Sequence, residues 1–425
     1  MSFDPVGGRL VSFEEARRIV EEQAEIAGAA PADSRATETV DLPAARGRVL
    51  AEAIVADREF PPFSRATRDG YAVRAADVGR VPASLEVIGE IKAGESPERT
   101  GLSVNRGQAV SIMTGAPLPE GADAVVMVEY AAVSGNSVEI QRSVKSGENF
   151  VPRGAEARAG QVLVEQGRRL DHALIGIAAT VGKSRVQVFR KPRIAVLATG
   201  DEVVEIDAVP GPAQIRNSNT YSLAAQIEEA GGEAVRLPIA PDETGRLREL
   251  LEQGFECDLL LISGGVSAGK YDLVEQVLAE MKAVFFFTGV RMQPGKPAVF
   301  GACPRAHTPH SLLPHYFFGL PGNPVSTMVT FRLFAQPMIA AIGGARPEPL
   351  VFLKVRLKAA VRTATGLTRF LPAVISGSFE NEGVELAAWQ GSGDVAALAR
   401  ANCYMVIPPD RERIEAGEWV SVLLP

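Results

Sequence analysis

The sequence predicts a multidomain α/β and β protein, because the pattern of strand-like and helix-like segments changes along the chain. Residues 8–185 are rich in short β-like runs broken by Gly and Pro. Residues 186–345 alternate strands with helices, and residues 346–425 return to short strands that predict a small barrel or sandwich. A chain of 425 residues is long enough for about two to four domains.

The first region is predicted to begin and end with a helix. Ser12, Phe13, Glu14 and Glu15 form a helix capping box ahead of an amphipathic stretch, and a second helix is expected near 171–181. Short apolar runs between them predict strands at Leu85–Ile88, Ala109–Met113, Ala124–Glu129 and Ser137–Ile140.

The middle region reads as a parallel sheet covered by helices on both faces. Helices are expected near 219–230, 243–253 and 271–281. In such sheets the ligand lies at the C-terminal ends of the strands. The predicted strands are Arg193–Ala198, Glu233–Leu237, Asp258–Ile262 and Ala283–Phe287, followed in the last region by Val351–Arg356 and Trp419–Leu424.

Composition excludes several classes of protein. A net charge of −7 with no basic run argues against nucleic-acid binding. Cys257, Cys303 and Cys403 are far apart and odd in number, so they predict neither a disulfide framework nor a Cys-rich metal site, and they suit a reducing cytoplasm. No uninterrupted apolar segment approaches roughly 18 residues, so neither a signal peptide nor a membrane span is expected.

The loop at 263–272 is the strongest local signal. It reads Ser-Gly-Gly-Val-Ser-Ala-Gly-Lys-Tyr-Asp and joins an apolar strand to a helix. Free backbone N–H groups and hydroxyls at a helix N-terminus hold anions. Asp272, two residues beyond Lys270, adds a carboxylate, which next to a phosphate site usually binds a bridging divalent cation. The loop therefore predicts phosphate together with Mg²⁺.

Acidic residues follow successive strands of the same predicted sheet. Asp201, Glu202, Asp242 and Asp272 carry hard oxygen ligands that suit Mg²⁺ better than zinc. Each also has a structural interpretation, in which Asp242 is an N-cap, Asp201 and Glu202 form a turn, and Asp272 offsets a helix dipole. Together at one sheet edge, such charges are costly without a cation.

Two later segments are predicted to reach the same edge. Lys296 lies in the turn Gln293–Pro297 and could pair with an oxyanion. The segment Gly319–Ser326 opens a helix whose Ser326 and first-turn amides are expected to be free to hydrogen-bond. Ordinary turn chemistry explains both segments equally well.

Taken together, the motifs resemble one known family. The chain is similar to the molybdopterin molybdenumtransferases of the MoeA family, which includes the E domain of gephyrin. The resemblance covers nearly the whole length. Its motifs, in order, are Arg68–Val73, Ser111–Glu129, Thr199–Glu202, Ser263–Ser267, Pro294–Pro297 and Leu320–Ser326.

The resemblance implies an activity and an architecture. Members of the family take adenylylated molybdopterin, exchange its dithiolene copper for molybdenum from molybdate, and hydrolyse the adenylate in a Mg²⁺-dependent step that releases AMP. It implies a three-layer molybdopterin-binding α/β domain, a β domain inserted at about 48–147 of the N-terminal region, and a C-terminal β-barrel. It further implies a homodimer whose cleft lies between the α/β domain of one subunit and the inserted domain of the other.

The resemblance also implies site residues. Asp69 and Thr114 match positions that face the cleft across the dimer, and Glu202, Asp242 and Asp272 match acidic positions expected to hold Mg²⁺ and orient water. These five are the catalytic candidates. The substrate-binding candidates are Ser263, Gly264, Gly265, Ser267, Lys296, Pro321, Asn323, Pro324 and Ser326.

The chain departs from the family pattern in three places. Gln293 replaces a lysine, and the turn Val151–Glu156 differs from the usual Arg-x-x-Gly-Glu-Asp. His307, His310 and His315 lie in a loop whose spacing resembles no structural zinc site.

Three alternatives to molybdenum transfer remain open at this stage. They are a scaffold protein like gephyrin, a molybdopterin-binding domain recruited to another role, and a homologue that inserts tungstate, an oxyanion of nearly equal size. The first would usually bring fused domains, and the second would lack Asp69 and Thr114. Other molybdenum-cofactor biosynthesis proteins are possible partners.

Overall fold

A computed structural model describes residues 9–29, 35–95, 101–265, 273–304 and 314–424. Ser267, Lys270, Asp272, His307 and His310 lie outside these ranges.

The N-terminal region begins with the predicted helix. Ser12 caps it by accepting a hydrogen bond from the backbone N–H of Glu15 at 3.1 Å. The elements are β1 (Leu10–Val11), α1 (Phe13–Gly28), β2 (Thr37–Asp41), β3 (Ile54–Val55), β4 (Arg65–Ala66), β5 (Gly70–Val73), β6 (Ala83–Ile91), β7 (Gln108–Ile112), β8 (Ala124–Met127), β9 (Ala131–Ser134), β10 (Ser137–Ile140), β11 (Phe150–Val151), β12 (Val162–Val164), α2 (His172–Thr180) and β13 (Arg185–Phe189).

Six of these strands form one sheet in the order β8-β5-β7-β6-β10-β9. Alternate residues of β5 bury opposite faces, since Tyr71 and Val73 join one apolar cluster and Ala72 joins another. Within the described part of the chain, no hydrogen bond or salt bridge joins this sheet to residues beyond 190. The sheet is therefore a separate layer with its own cores.

The middle region follows as an α/β domain. Its elements are β14 (Arg193–Ala198), β15 (Val203–Val204), β16 (Ile215–Arg216), α3 (Asn219–Glu229), β17 (Glu233–Arg236), α4 (Thr244–Gly254), β18 (Leu259–Ser263), α5 (Leu273–Glu280), β19 (Val284–Phe287), β20 (Gly289–Val290), β21 (Met292–Gln293), β22 (Val299–Cys303), β23 (His315–Leu320), α6 (Pro324–Thr330) and α7 (Gln336–Ile342).

The central sheet has the order β17-β14-β18-β23-β22-β19. Its first four strands are parallel, as predicted. The strand predicted at 283–287 is β19, which runs in the same direction as these four strands. The sheet is nevertheless not all parallel, because β22 lies between β19 and β23 and pairs antiparallel with both. The helix α5 precedes β19 in the chain, and the return from β19 to β23 runs through the antiparallel strand β22.

The sheet is covered on both faces and forms the middle of three layers. Ile194 and Val196 pack with α1, α3 and the helices after 324, whereas Ala195 and Leu197 pack with α4 and α5. The alternation follows from the two-residue period of a strand. The stretch Pro324–Ile342 is long and apolar enough to span a membrane, but 67% of it is buried in the fold, as expected of a core helix.

The C-terminal region is a small β-barrel. β26 (Thr368–Ser376) pairs with β28 (Cys403–Ile407), which pairs with β30 (Trp419–Leu423). β30 pairs with β24 (Phe352–Arg356), and β27 (Gly383–Leu386) lies on the other side of β26. Leu357, just after β24, bridges Val384 in β27 and closes the circuit. The elements are β24 (Phe352–Arg356), β25 (Val361–Arg362), β26 (Thr368–Ser376), β27 (Gly383–Leu386), α8 (Val395–Arg400), β28 (Cys403–Ile407), β29 (Arg413–Ile414) and β30 (Trp419–Leu423).

Candidate functional site

The C-terminal ends of the parallel strands meet at one edge of the α/β domain. Ala198 pairs with Ser263, and Ser263 pairs with Leu320, so three strands end in register. Thr199 continues β14 and bridges Ala240 of the neighbouring segment. Three segments therefore leave the sheet side by side, as the sequence predicts. They are the loop with Asp201 and Glu202, the loop with Asp242, and the first part of the glycine loop.

Three described acids lie close together at this edge. The Asp201 carboxylate accepts a hydrogen bond from the backbone N–H of Asp242 at 3.2 Å. A Cβ on Gly200 would lie 2.3 Å from Oε2 of Glu202, so the Glu202 side chain folds back over this glycine. Partial burial and the charges of Asp201 and Glu202 raise the pKa of Asp242. Asp242 is not an N-cap, because α4 begins after Glu243. The structural interpretation of Asp242 is therefore wrong.

These acids have the chemistry expected of a magnesium site. Hard carboxylate oxygens that repel one another are stabilised by a divalent cation. Among the described residues no group of three potential metal ligands converges, and the predicted set includes Asp272, which lies outside them. Glu202 and Asp242 are the two predicted ligands that the structure describes.

The pKa of Asp242 leads to a prediction about stability. Because this pKa is raised on folding, the folded protein holds the proton more tightly than the unfolded chain, and ionising the carboxylate lowers the free energy of unfolding. We expect Asp242→Asn to raise the melting temperature of the metal-free protein at pH 8 and to change it little near pH 3, where both states are protonated. Melting curves in EDTA, with Glu243→Gln as the control, test this. A lower melting temperature for Asp242→Asn at pH 8 would contradict it.

The glycines after β18 are required by close contacts with the end of β14. Gly264 has φ +91°, and a Cβ there would lie 2.9 Å from the carbonyl oxygen of Thr199. A Cβ on Gly265 would lie 2.6 Å from Oγ1 of the same threonine. The side chains of larger residues cannot fit, so the turn brings bare backbone to the edge of the sheet.

A matched pair of substitutions tests this arrangement. We expect Gly264→Ala to lower stability by about 1–3 kcal/mol, because it combines an unfavourable φ with a clash against backbone. Gly322→Ala should be tolerated, because a Cβ there meets only the Cα of Gly264 at 3.5 Å, an ordinary contact. Chemical unfolding of both variants provides the comparison, and equal stability losses would be inconsistent with this packing.

The turn that carries Lys296 is held between two domains. β21 adds parallel to β26 of the barrel, and a Cβ on Gly295 would lie 2.5 Å from Cγ2 of Thr330 in α6. The Lys296 side chain is exposed and forms no ion pair with any described residue. The ammonium group is thus held on a packed turn and is available to an anion.

The start of α6 is less open than predicted. The backbone N–H of Val325 donates to the carbonyl oxygen of Ser392 at 3.0 Å, so the prediction of free first-turn amides is wrong at this position. Ser326 is buried, whereas the side chain of Asn323 is exposed and makes no capping hydrogen bond. Pro321 is buried and Pro324 half-buried at the same helix entry.

Asp69 and Thr114 form a polar pair on the surface of the six-stranded sheet β8-β5-β7-β6-β10-β9, which we call the inserted sheet. The Asp69 carboxylate accepts hydrogen bonds from the backbone N–H of Thr114 at 2.6 Å and from its hydroxyl at 2.8 Å. These bonds hold the pKa of Asp69 below its usual range, so the carboxylate is ionised at neutral pH. Both side chains are exposed. The two residues that the resemblance implies at the cleft across the dimer are therefore in direct contact with each other.

The altered turn at 151–156 makes contacts within its own region. Glu156 pairs with Arg65 at 2.8 Å, and Arg153 pairs with Glu59. His315, the one described histidine of the predicted loop, pairs with Cys303 across β22 and β23. These contacts tie neighbouring segments of the fold together.

Sequence reasoning missed Asn219. Its side chain connects Ser263 and Gly322, which are far from it in sequence. A helix-starting asparagine usually indicates capping, so nothing in the local pattern pointed to this role. Thr199 was noted only as part of a motif, yet its buried Oγ1 has no hydrogen-bond partner among the described residues.

A cavity of substantial size lies elsewhere in the described part of the molecule. It measures about 620 Å³ and is lined by α1, α7 and residues 345–351, without any of the strand-end residues. Its arginines are largely engaged, since Arg17 donates to the carbonyl oxygen of Leu333 at 2.6 Å and Arg169 to that of Ala230 at 2.7 Å. This cavity is therefore distinct from the predicted site.

The fold and the strand-end site define a molybdopterin-binding type of protein. Residues 195–341 match the family model described as "Probable molybdopterin binding domain". Residues 11–182 match "MoeA N-terminal region (domain I and II)", and residues 354–424 match "MoeA C-terminal region (domain IV)".

Relatives support the same conclusion over the whole chain. A molybdopterin molybdenumtransferase of Nostoc sp. is 37% identical over 91% of this chain and 88% of its own length, and that of Bacillus subtilis is 35% identical over 91% and 90%. A molybdopterin biosynthesis MoeA protein of Pyrococcus horikoshii superposes with a TM-score of 0.75 at 29% identity, covering 98% of this chain and 100% of that one. The chain therefore belongs to the MoeA family of molybdopterin molybdenumtransferases, enzymes of molybdenum cofactor biosynthesis.

Proposed function

We propose that this chain inserts molybdenum from molybdate into adenylylated molybdopterin, and that it hydrolyses the adenylate with release of AMP. The observation that carries this proposal is the arrangement at one sheet edge of repelling carboxylates beside a bare glycine turn. The carboxylates suit a divalent cation, and the glycine turn suits an anionic ligand. A nucleotide-activated phosphate ester needs both.

The hydrolysis requires little from titratable side chains. Water adds to one phosphorus of the pyrophosphate link and the bridging P–O bond breaks, so the products are AMP and molybdopterin that keeps its own phosphate. Glu202 and Asp242 would hold Mg²⁺, which when bound neutralises phosphate charge. Lys296, exposed and without an ion pair to the described residues, would pair with the phosphate or with molybdate. Thus fixed charges supply most of the expected catalysis.

We further propose a homodimer in which Asp69 and Thr114 reach the cleft of the partner subunit. The inserted sheet makes no described hydrogen bond or salt bridge to its own α/β domain. Asp69 is nevertheless held ionised by two hydrogen bonds on an exposed surface. A surface carboxylate that is ionised and fixed by hydrogen bonds suits a site that a second copy of the chain completes. The cytoplasm is the proposed compartment, since all three cysteines are free and buried.

The proposal is tested by AMP release from adenylylated molybdopterin, with molybdate and Mg²⁺ each present or omitted. We expect release that requires Mg²⁺ and is promoted by molybdate. An arm with tungstate in place of molybdate determines which oxyanion is preferred. Tight binding of the pterin without any release of AMP would contradict the proposed reaction and favour a binding role.

A further inference from the structure

Asn219 connects the two loops that border the glycine turn. Its Nδ2 donates to Oγ of Ser263 at 2.9 Å and to the carbonyl oxygen of Gly322 at 2.7 Å. Ser263 is the last residue of β18, and Gly322 lies between β23 and α6. One amide group thus joins the ends of two parallel strands to the first turn of α3.

The orientation of this amide follows from its partners. The Gly322 carbonyl can only accept a hydrogen bond, so the amide nitrogen and not its oxygen must face it. The same nitrogen then donates to Ser263, whose hydroxyl oxygen acts as an acceptor in that contact. A serine hydroxyl has one proton to donate, and no described residue accepts the proton of Ser263. That proton is left available for a ligand.

Unpaired polar atoms at the same place support a ligand there. Oγ1 of Thr199 is buried without a partner among the described residues, in a residue that is 4% exposed, and it lies beside the Gly264–Gly265 turn. Within the part of the chain that the structure describes, Oδ1 of Asn219 is likewise buried and has no hydrogen-bond partner. Buried polar atoms are normally hydrogen-bonded, so a cluster of unpaired ones marks a place that a polar ligand or bound water completes.

We infer that Asn219 is a positioning residue that makes Ser263 a hydrogen-bond donor to the phosphate of molybdopterin. This inference rests on the proposed function for the identity of the ligand. By occupying a lone pair of Ser263, Asn219 directs the hydroxyl proton towards an acceptor. A phosphate oxygen accepts such a bond strongly because it is charged. The substitution Asn219→Asp would reverse the contact, because a carboxylate accepts the serine proton.

The experiment measures the dissociation constants of molybdopterin and of dephosphorylated molybdopterin with the full chain. We expect Ser263→Ala to weaken molybdopterin binding by about 10-fold or more, as for loss of a hydrogen bond to a charged group. Asn219→Asp should weaken it at least as much. Both substitutions should change binding of the dephosphorylated ligand by less than about 2-fold, because the affected contact is to phosphate.

The double variant separates positioning from a general structural role. Asn219→Asp should raise the dissociation constant of molybdopterin less in the Ser263→Ala background than in the wild type, because the hydroxyl is already absent. We expect the fold-change to be smaller by about 5-fold or more. Ser222→Ala is the matched control, since it removes a 3.0 Å bond to the carbonyl oxygen of Asn219 without touching Ser263. It should leave both affinities unchanged.

Two outcomes would overturn the inference. They are equal weakening for the phosphorylated and dephosphorylated ligands, and independent effects in the double variant. If Asn219→Asp does not fold, Asn219→Ala replaces it, and a loss of molybdopterin affinity confined to the phosphorylated ligand is again expected. Because binding is measured without turnover, a protein that binds as predicted but releases no AMP would contradict the proposed function and leave this inference standing.

Discussion

Replacing Asp242 by Asn is expected to reduce AMP release by about 100-fold or more while the protein remains folded. Asp242 lies beside Asp201 and Glu202 at the strand ends, and their charges together with partial burial raise its pKa. A neutral amide cannot provide the negative charge that is needed to bind Mg²⁺ at this site. The loss of preorganised charge stabilisation is of the size seen when one such group is removed from an active site.

Steady-state AMP release at a series of Mg²⁺ concentrations measures this effect. The Mg²⁺ concentration that gives half-maximal activity should rise for Asp242→Asn, because one of the proposed ligands is lost. Glu243→Gln is the control, since it changes the adjacent acid at the start of α4. Unchanged turnover with an unchanged Mg²⁺ dependence would remove Asp242 from the proposed metal site.

Replacing Asp69 by Ala is expected to reduce activity by about 10-fold or more, even though Asp69 belongs to another domain. Its carboxylate is fixed by two hydrogen bonds from Thr114, at 2.6 and 2.8 Å, and is ionised at neutral pH. We propose that it acts in the cleft of a partner subunit. Thr114→Val, which removes only the hydroxyl bond, should give a smaller loss, because the backbone N–H bond remains.

Mixing the two impaired variants tests the proposed shared site directly. In the proposed two-fold symmetric dimer, each cleft would take Asp242 from one subunit and Asp69 from the other. Equal mixing of Asp69→Ala with Asp242→Asn gives about half heterodimers, each with one intact cleft of two, so about a quarter of wild-type activity should return. If the mixture is no more active than the average of the two variants measured alone, although subunits exchange, both residues act within one subunit or Asp69 has no role in the cleft.

The strands of the α/β domain were predictable because they are short, buried and uninterrupted. Arg193–Ala198 was predicted residue for residue, since a run buried on both faces leaves little choice. The antiparallel strand β22, which separates Val284–Phe287 from β23, was not predictable in the same way. Periodicity reports which residues are buried but not which neighbour a strand pairs with, and the antiparallel return at this edge depends on tertiary contacts.

The site was predictable in its residue types but not in its connections. Acids that follow successive parallel strands must meet at one edge, so the proximity of Asp201 and Asp242 follows from topology. The engagement of the Val325 amide by Ser392 involves a different domain, and no local pattern indicates it. Asn219 is similar, because its partners are 44 and 103 residues away in sequence.

The most direct test of the proposed reaction is the ratio of molybdenum incorporated to AMP released in a single incubation. Purified protein is supplied with adenylylated molybdopterin, molybdate and Mg²⁺, and the isolated pterin product is analysed for molybdenum while AMP is quantified. We predict one molybdenum atom for each AMP, with neither product formed when Mg²⁺ is omitted. AMP release without molybdenum in the pterin would show an uncoupled hydrolase and contradict the proposed transfer.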